Sequence, residues 1–230
     1  MANKLTKKEL EQPDEFHTIG WHALQYMTEH KERFYAGGAV VLLIIILSGA
    51  WYWYRLNYEN QAQSLYSSAY TTYSLPGSPT DMKEAYMKAI EIYEELTQEY
   101  PSSRAATLSF YNMGNIYFDI GETEKSITAY KTFLKRSGKN DILVTLAYQG
   151  LGYCYEEIED YDNALRSFQD SNIRAQGTRL GYINYANIAR IYEKMGNQKK
   201  AVEFYRKATG KMNDPLLEML VRKKIAALAQ

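Results

Sequence analysis

The residues of this chain that could carry out chemistry are few: three histidines, one cysteine and one run of acids. His17, His22 and His30 follow one another at five and eight residues. That spacing spreads them by about 140° and about 80° around a helix, so they miss the i, i+4 pairing with which helices hold a metal. The 175 residues after Arg55 contain no histidine at all. Cys154 stands alone, so no disulfide closes within the chain, and its helix-core neighbours make it a small hydrophobe. Glu156, Glu157, Glu159 and Asp160 read as a solvated turn between helices rather than a cation site or an acid–base pair. Without a histidine base, a glycine-rich phosphate loop or paired cysteines, the expectation is a protein that is not an enzyme and uses no cofactor, metal or small-molecule substrate. Its 27 basic and 27 acidic side chains balance to zero, which argues against nucleic acid as a partner. The composition instead offers 22 tyrosines, whose rings bury area while their hydroxyls stay at a wet edge. That suits helices packed around a groove more than a sealed interior.

The element that must hold such a domain in place is the stretch from Phe34 to Tyr54, 21 residues without a formal charge between Arg33 and Arg55. As a helix it spans about 30 Å, the hydrocarbon thickness of a bilayer. Trp51, Tyr52, Trp53 and Tyr54 close it with rings suited to the headgroup layer. A cleaved signal peptide fits less well, because 33 residues with six acids precede the run. Lys4, Lys7, Lys8, Lys31 and Arg33 lie before the run and Arg55 alone stands between it and Lys83, which predicts an uncleaved anchor with its N-terminus in the cytoplasm. The division follows as a tail at 1–33, a transmembrane helix at 34–54 and a single soluble domain at 55–230. Within the tail, Pro13, Asp14 and Glu15 open a short helix whose stripe of Phe16, Ile19, Ala23, Leu24 and Met27 runs up to His30 and would lie in the headgroup layer or against a partner.

Beyond the anchor the pattern is helical throughout. Residues 57–73 carry two adjacent apolar rows, Leu65, Ala69 and Tyr73 beside Ala62, Tyr66 and Tyr70, and the Pro/Gly-rich loop from Leu75 to Thr80 stops them. Asp81 and Glu84 have the D-x-x-E form of a cap for the next helix. The chain then repeats itself: Tyr111 to Gly121 is echoed by Gly150 to Tyr155 and again by Asn187 to Gly196. The small residues Gly114, Gly152 and Ala189 are followed at fixed distances by Ser126 and Tyr130, Ala164 and Phe168, and Ala201 and Tyr205. A small residue lets two helices approach, and the later pair locks the next hairpin. This resembles the tetratricopeptide repeat. An earlier unit keeps the second half of the pattern in Ala89, Tyr93, Leu96 and Pro101. Two departures are that Phe133 and Ser171 stand where alanine is usual, and that the repeats are 38 and 37 residues apart, with the excess in the turns around 137–140 and 173–178. Asp214 and Pro215 start a last helix whose Leu217, Leu220, Val221, Ile225 and Leu228 cover the end of the stack. The fold class is all-α: one N-terminal transmembrane helix, then a helical-repeat solenoid of about four hairpins with a capping helix.

In a stack of this kind the first helix of each hairpin lines the concave face. By spacing, the groove carries Leu108, Tyr111, Asn112, Asn115 and Phe118, then Gln149, Tyr153 and Glu156, then Ile183, Asn187 and Arg190. Amides and aromatic faces suit an extended or partly folded polypeptide, while the competing role for Tyr111 and Tyr153 is packing on neighbouring helices. The repeat's clamp for a terminal carboxylate is not expected, because Tyr111 and Gln149 stand where it would want lysine. Net charge alternates along the domain, −5 over 56–103, +3 over 104–140, −4 over 141–180 and +6 over 181–230. Lys199, Lys200, Arg206, Lys207, Lys211, Arg222, Lys223 and Lys224 therefore form a candidate basic end for an acidic partner or anionic lipid. The single anchor, the helical repeats beyond it and the absence of a lipid-modified cysteine together resemble the YfgM-like family of inner-membrane proteins. That resemblance implies a periplasmic repeat domain, an ancillary place beside the SecYEG translocon, and contact with emerging secreted chains and periplasmic chaperones. Scaffolds of other envelope or secretion assemblies, and membrane tethers of an enzyme, share the same layout.

Overall fold

The computed structural model describes residues 15–74, 79–138, 142–210 and 214–228, and among them ten helices and no strand. The expected start of the first helix at Pro13 and Asp14, part of the loop after Leu75, Lys139 and Asn140, and Lys211 lie outside the described residues. Two compact units divide the chain, residues 1–57 and 58–230.

The first unit holds α1 (Glu15–Glu29), a turn at His30 and the beginning of α2 (Lys31–Ser74). Its side chains from Val40 to Leu47 stand 55–64% exposed, so the run that averages a hydropathy of 2.1 packs on nothing within the chain. α2 is the one described helix long and apolar enough to cross a membrane.

In the second unit the end of α2 packs with α3 (Pro79–Glu99), burying Ala62, Ala69, Ala89, Tyr93 and Leu96 completely. One reading of this region needs correction. α3 begins at Pro79, whose fixed φ and missing N–H suit a first helical position, so Asp81 lies within the first turn instead of capping it. In the row of Ala62, Tyr66 and Tyr70, Ala62 is buried, Tyr66 packs on Tyr93 at 5.7 Å and Tyr70 is 49% exposed beside Tyr73.

Three hairpins follow: α4 (Arg104–Asp119) with α5 (Thr123–Arg136), α6 (Ile142–Glu157) with α7 (Tyr161–Arg174), and α8 (Arg179–Lys194) with α9 (Gln198–Ala208). Each second helix packs on the next first helix, and α10 (Pro215–Leu228) packs on α9. All three tight turns share one construction. The amide of Glu122 bonds the Tyr117 carbonyl, that of Asp160 the Tyr155 carbonyl and that of Asn197 the Tyr192 carbonyl, each at 2.8 Å. The residue before each donor sits in the left-handed region: Gly121 at φ 79°, Glu159 at 60° and Gly196 at 75°. Glycine takes that conformation without strain and glutamate does not.

The small-residue positions are filled by rings. A β-carbon on Gly114 would come within 2.7 Å of the Tyr130 ring, and one on Gly150 within 2.5 Å of the same ring from the following hairpin. Tyr130 is thus held between its own hairpin and the next, as Phe168 is pressed on Gly152. The two departures from the alanine pattern are buried: Phe133 enters the core, and the Ser171 hydroxyl donates to the Thr145 carbonyl at 2.9 Å and accepts from Asn184 at 2.7 Å. At the far end Val221 is buried and Leu217, Ile225 and Leu228 pack on the core, but Leu220 is 49% exposed with Leu216 and Met219 beside it. The capping helix therefore covers the stack with one face and presents a second apolar face outward, which corrects the reading of Leu220.

Candidate interaction surface

The first helices α4, α6 and α8 carry the groove positions, and the chain treats them differently along its length. On α4, Leu108, Tyr111 and Phe118 are half-buried against the main core. Tyr111 lies 5.5 Å from the Phe133 ring and 6.1 Å from the Tyr130 ring, so packing occupies much of it. Asn112 is only 6% exposed and its amide donates to the Tyr66 hydroxyl at 2.9 Å and the Tyr93 hydroxyl at 3.0 Å. It ties the first two hairpins together and has no donor left for a ligand. Asn115 is half-buried, accepts from the Tyr130 hydroxyl at 2.6 Å and also interacts with the Tyr111 hydroxyl, so it joins the packing around both rings. Burial pushes the Tyr93 and Tyr130 hydroxyls far above their ordinary range, which keeps both as protonated donors.

On α6 and α8 the predicted residues meet one another. Tyr153 packs edge-on against Phe168 at 5.2 Å and accepts from Asn187 at 3.0 Å, while the Gln149 amide reaches its hydroxyl at 3.5 Å. Arg190 grips Glu156 with two nitrogens, Nε at 2.8 Å and Nη2 at 2.6 Å, donates Nη1 to Asn187 at 3.0 Å, and stands 5.7 Å from the Tyr153 ring centre. Lys194 adds a second cation to Glu156 at 3.0 Å. The Glu156 side chain is 11% exposed, so this acid leaves the solvated turn read from sequence, whereas Glu157 and Glu159 remain exposed. Burial works against its charge, but Arg190 and Lys194 outweigh that and hold the carboxyl below its ordinary value. For Arg190, burial opposes the charge and Glu156 more than restores it. Ile183 is half-buried on the same helix and lies outside the core cluster.

Lys194 was missed from sequence, although it stands four residues after Arg190 and so shares its helix face. Glu193 was missed as well. It accepts from the Tyr205 hydroxyl at 2.9 Å and from Lys224 at 2.6 Å, which links α8, α9 and α10.

The basic residues of the C-terminal segment are partly neutralised. Arg222 pairs with Glu218 at 2.8 Å, Lys224 with Glu193, and Lys207 with Glu203 at 2.7 Å. Lys200 lies 5.0 Å from the Tyr192 ring centre and Lys207 4.3 Å from that of Phe204. Lys199 and Arg206 line a cleft of about 770 Å³ between α9 and α10, with Leu228 at its wall. Lys223 is exposed on α10. Cys154 is fully buried against the Ser126 hydroxyl, and burial pushes its thiol up to about 11, which leaves it a protonated packing group.

Residues 108–140, 146–171 and 183–210 match the tetratricopeptide repeat family. Among solved structures, a crystal structure of MamA superposes with a TM-score of 0.53 at 21% identity, covering 67% of this chain and 84% of that one. A second crystal structure of MamA gives 0.56 at 19% identity over 74% and 80%, and the MamA RS-1 ArsTM double mutant 0.50 at 14% over 74% and 79%. At these identities the likeness concerns the fold. No curated protein matches the sequence. The three repeats and this fold support a scaffold that binds other proteins.

Proposed function

We propose that the chain is a membrane-anchored, non-enzymatic adaptor whose repeat domain lies outside the cytoplasm and takes extended or partly folded polypeptide along its first helices. In this reading it serves beside the translocon, as YfgM-like proteins do, and passes emerging secreted chains to periplasmic chaperones. The observation that carries the reading is α2 itself. One helix holds the uncharged, exposed run from Phe34 to Tyr54 and, past Tyr58, the alanines that found the repeat core. Supporting it, the α4 stretch keeps Leu108, Tyr111 and Phe118 half-exposed, an apolar and aromatic surface that contacts side chains of a polypeptide without demanding one sequence. A photo-crosslinking side chain at Phe118 in cells tests it. Adducts with many secreted chains in transit are expected, and a single folded partner would replace the translocon role by that of a scaffold in another envelope assembly.

A further inference from the structure

The C-terminal face of the solenoid is finished in an unusual way for an end. A terminal repeat normally turns a polar surface outward. Here Leu216, Met219 and Leu220 are 64%, 57% and 49% exposed and lie with Lys223 on one face of α10, at i, i+3, i+4 and i+7. Lys223 has no acidic partner among the described residues, whereas Arg222 and Lys224 on either side do.

A surface of complementary character lies towards the other end of the same domain, where α3 meets the α4–α5 hairpin. Met87 is 53% exposed and, with Ile90 and Ile120, floors a groove of about 570 Å³ beside α3. Glu84, Glu91 and Glu94 rim it against Lys88, while Glu122 and Lys125 pair with each other at 3.2 Å. The first unit, 56–103, carries −5 and the last, 181–230, carries +6. Along the domain each unit is followed by one of opposite sign, and the sign that would continue the series after the last unit is that of the first. Within one chain these two ends are separated by the intervening hairpins. In a second copy they are free to meet.

We infer that the outward face of α10 docks on the acidic, apolar-floored groove beside α3 of a second copy, so that the protein associates head to tail. The contact is heterologous: the donor's tail and the acceptor's head remain open, and copies add in series instead of closing as a symmetric pair. Apolar burial supplies attraction and the opposed charges set the register, so the association weakens as salt rises.

The test uses the full chain in mild detergent, followed by sedimentation velocity over a range of concentrations. Two single-ended variants are compared, a tail variant with Leu220→Glu and Lys223→Glu and a head variant with Glu84→Lys and Glu91→Lys. Unchanged melting shows that each folds, and Leu220→Ser with Lys223→Ser replaces the tail variant where the glutamates lower it. The wild type is expected to form dimers and longer series at low salt, and each variant alone to lose association by about tenfold or more. Mixed in equal amounts, the variants should recover a dimer of near wild-type affinity that does not grow, because one intact tail then meets one intact head. A head variant that still associates by itself would mean that tails pair with tails and would overturn the inference. A wild type that stays monomeric throughout, including one whose basic end binds anionic vesicles instead, overturns it as well.

Discussion

The α4 stretch and the α6–α8 stretch of the groove occupy the same repeat positions and solve the same problem in opposite ways. On α4 the polar side chains are turned inward, with Asn112 spent on Tyr66 and Tyr93, and the surface left behind is aromatic and uncharged. On α6 and α8 the charges stay on the face but close on one another, Glu156 between Arg190 and Lys194 and Tyr153 under Asn187. Repeat geometry decides where a side chain stands; the neighbour it meets one repeat later decides whether it stays available. Under the proposed function, a polypeptide on α4 would meet half-exposed rings, whereas on α6–α8 it would compete with an ion pair already made.

The comparison presumes that both stretches share one frame, and the largest expected effect comes from breaking that frame. Ala164 is fully buried between α6 and α7, so Ala164→Arg should cost about 3–5 kcal/mol and melt the third hairpin together with its neighbours. An unchanged melting temperature would show that the hairpin register is wrong.

Next in size is the inward solution. Asn112→Leu leaves the buried Tyr93 hydroxyl and the half-buried Tyr66 hydroxyl without their donor and is expected to destabilise by about 1–3 kcal/mol. Arg190→Ala should destabilise less, by about 1 kcal/mol, because the arginine is 38% exposed and Lys194 remains to serve Glu156. Measured by denaturant titration, the reverse order would mean that the charged stretch, not the aromatic one, holds the stack.

The Glu156 carboxyl also gives the charged stretch a pH signature. Its folded-state value is lowered, so the stabilisation is present above the ordinary glutamate range, near about 4.3, and is lost as pH falls through the folded value. Stability should therefore decline on acidification from about pH 4.5 downward, and Glu156→Gln should flatten the part of that decline due to this group. A decline of equal depth in the variant would assign it elsewhere.

The smallest effect lies in the turns. Glu159 holds the left-handed position that Gly121 and Gly196 fill in the neighbouring hairpins, so Glu159→Gly should stabilise by about 0.5–1 kcal/mol, seen as a modest rise in melting temperature.

How much of this was legible in the sequence can be traced through particular residues. The all-α repeat class was readable because Gly114, Gly152 and Ala189 recur with their aromatic partners at fixed spacing, and such spacing follows directly from helices that must touch. The start of α3 was misread because D-x-x-E fits a cap and a first turn equally well, and only the backbone of Pro79 decides between them. Leu220 was assigned to the covering face of α10 by periodicity, which identifies a helix face but not whether a neighbour arrives to cover each residue on it. The closure of the charged stretch was half visible. Glu156 to Arg190 and Tyr153 to Asn187 are both separated by 34 residues, about one helical turn less than the 37-residue step between their repeats, and the separation does not say that the two side chains reach each other.

The central claim is that the aromatic stretch is an open binding face for polypeptide. Its most direct measurement places one photo-crosslinking side chain at Phe118 on α4 and, separately, at the exposed Gln169 on α7, in cells exporting proteins. The account predicts abundant adducts with secreted chains from Phe118 and few from Gln169. Equal adducts from both positions, or none from Phe118, would contradict it.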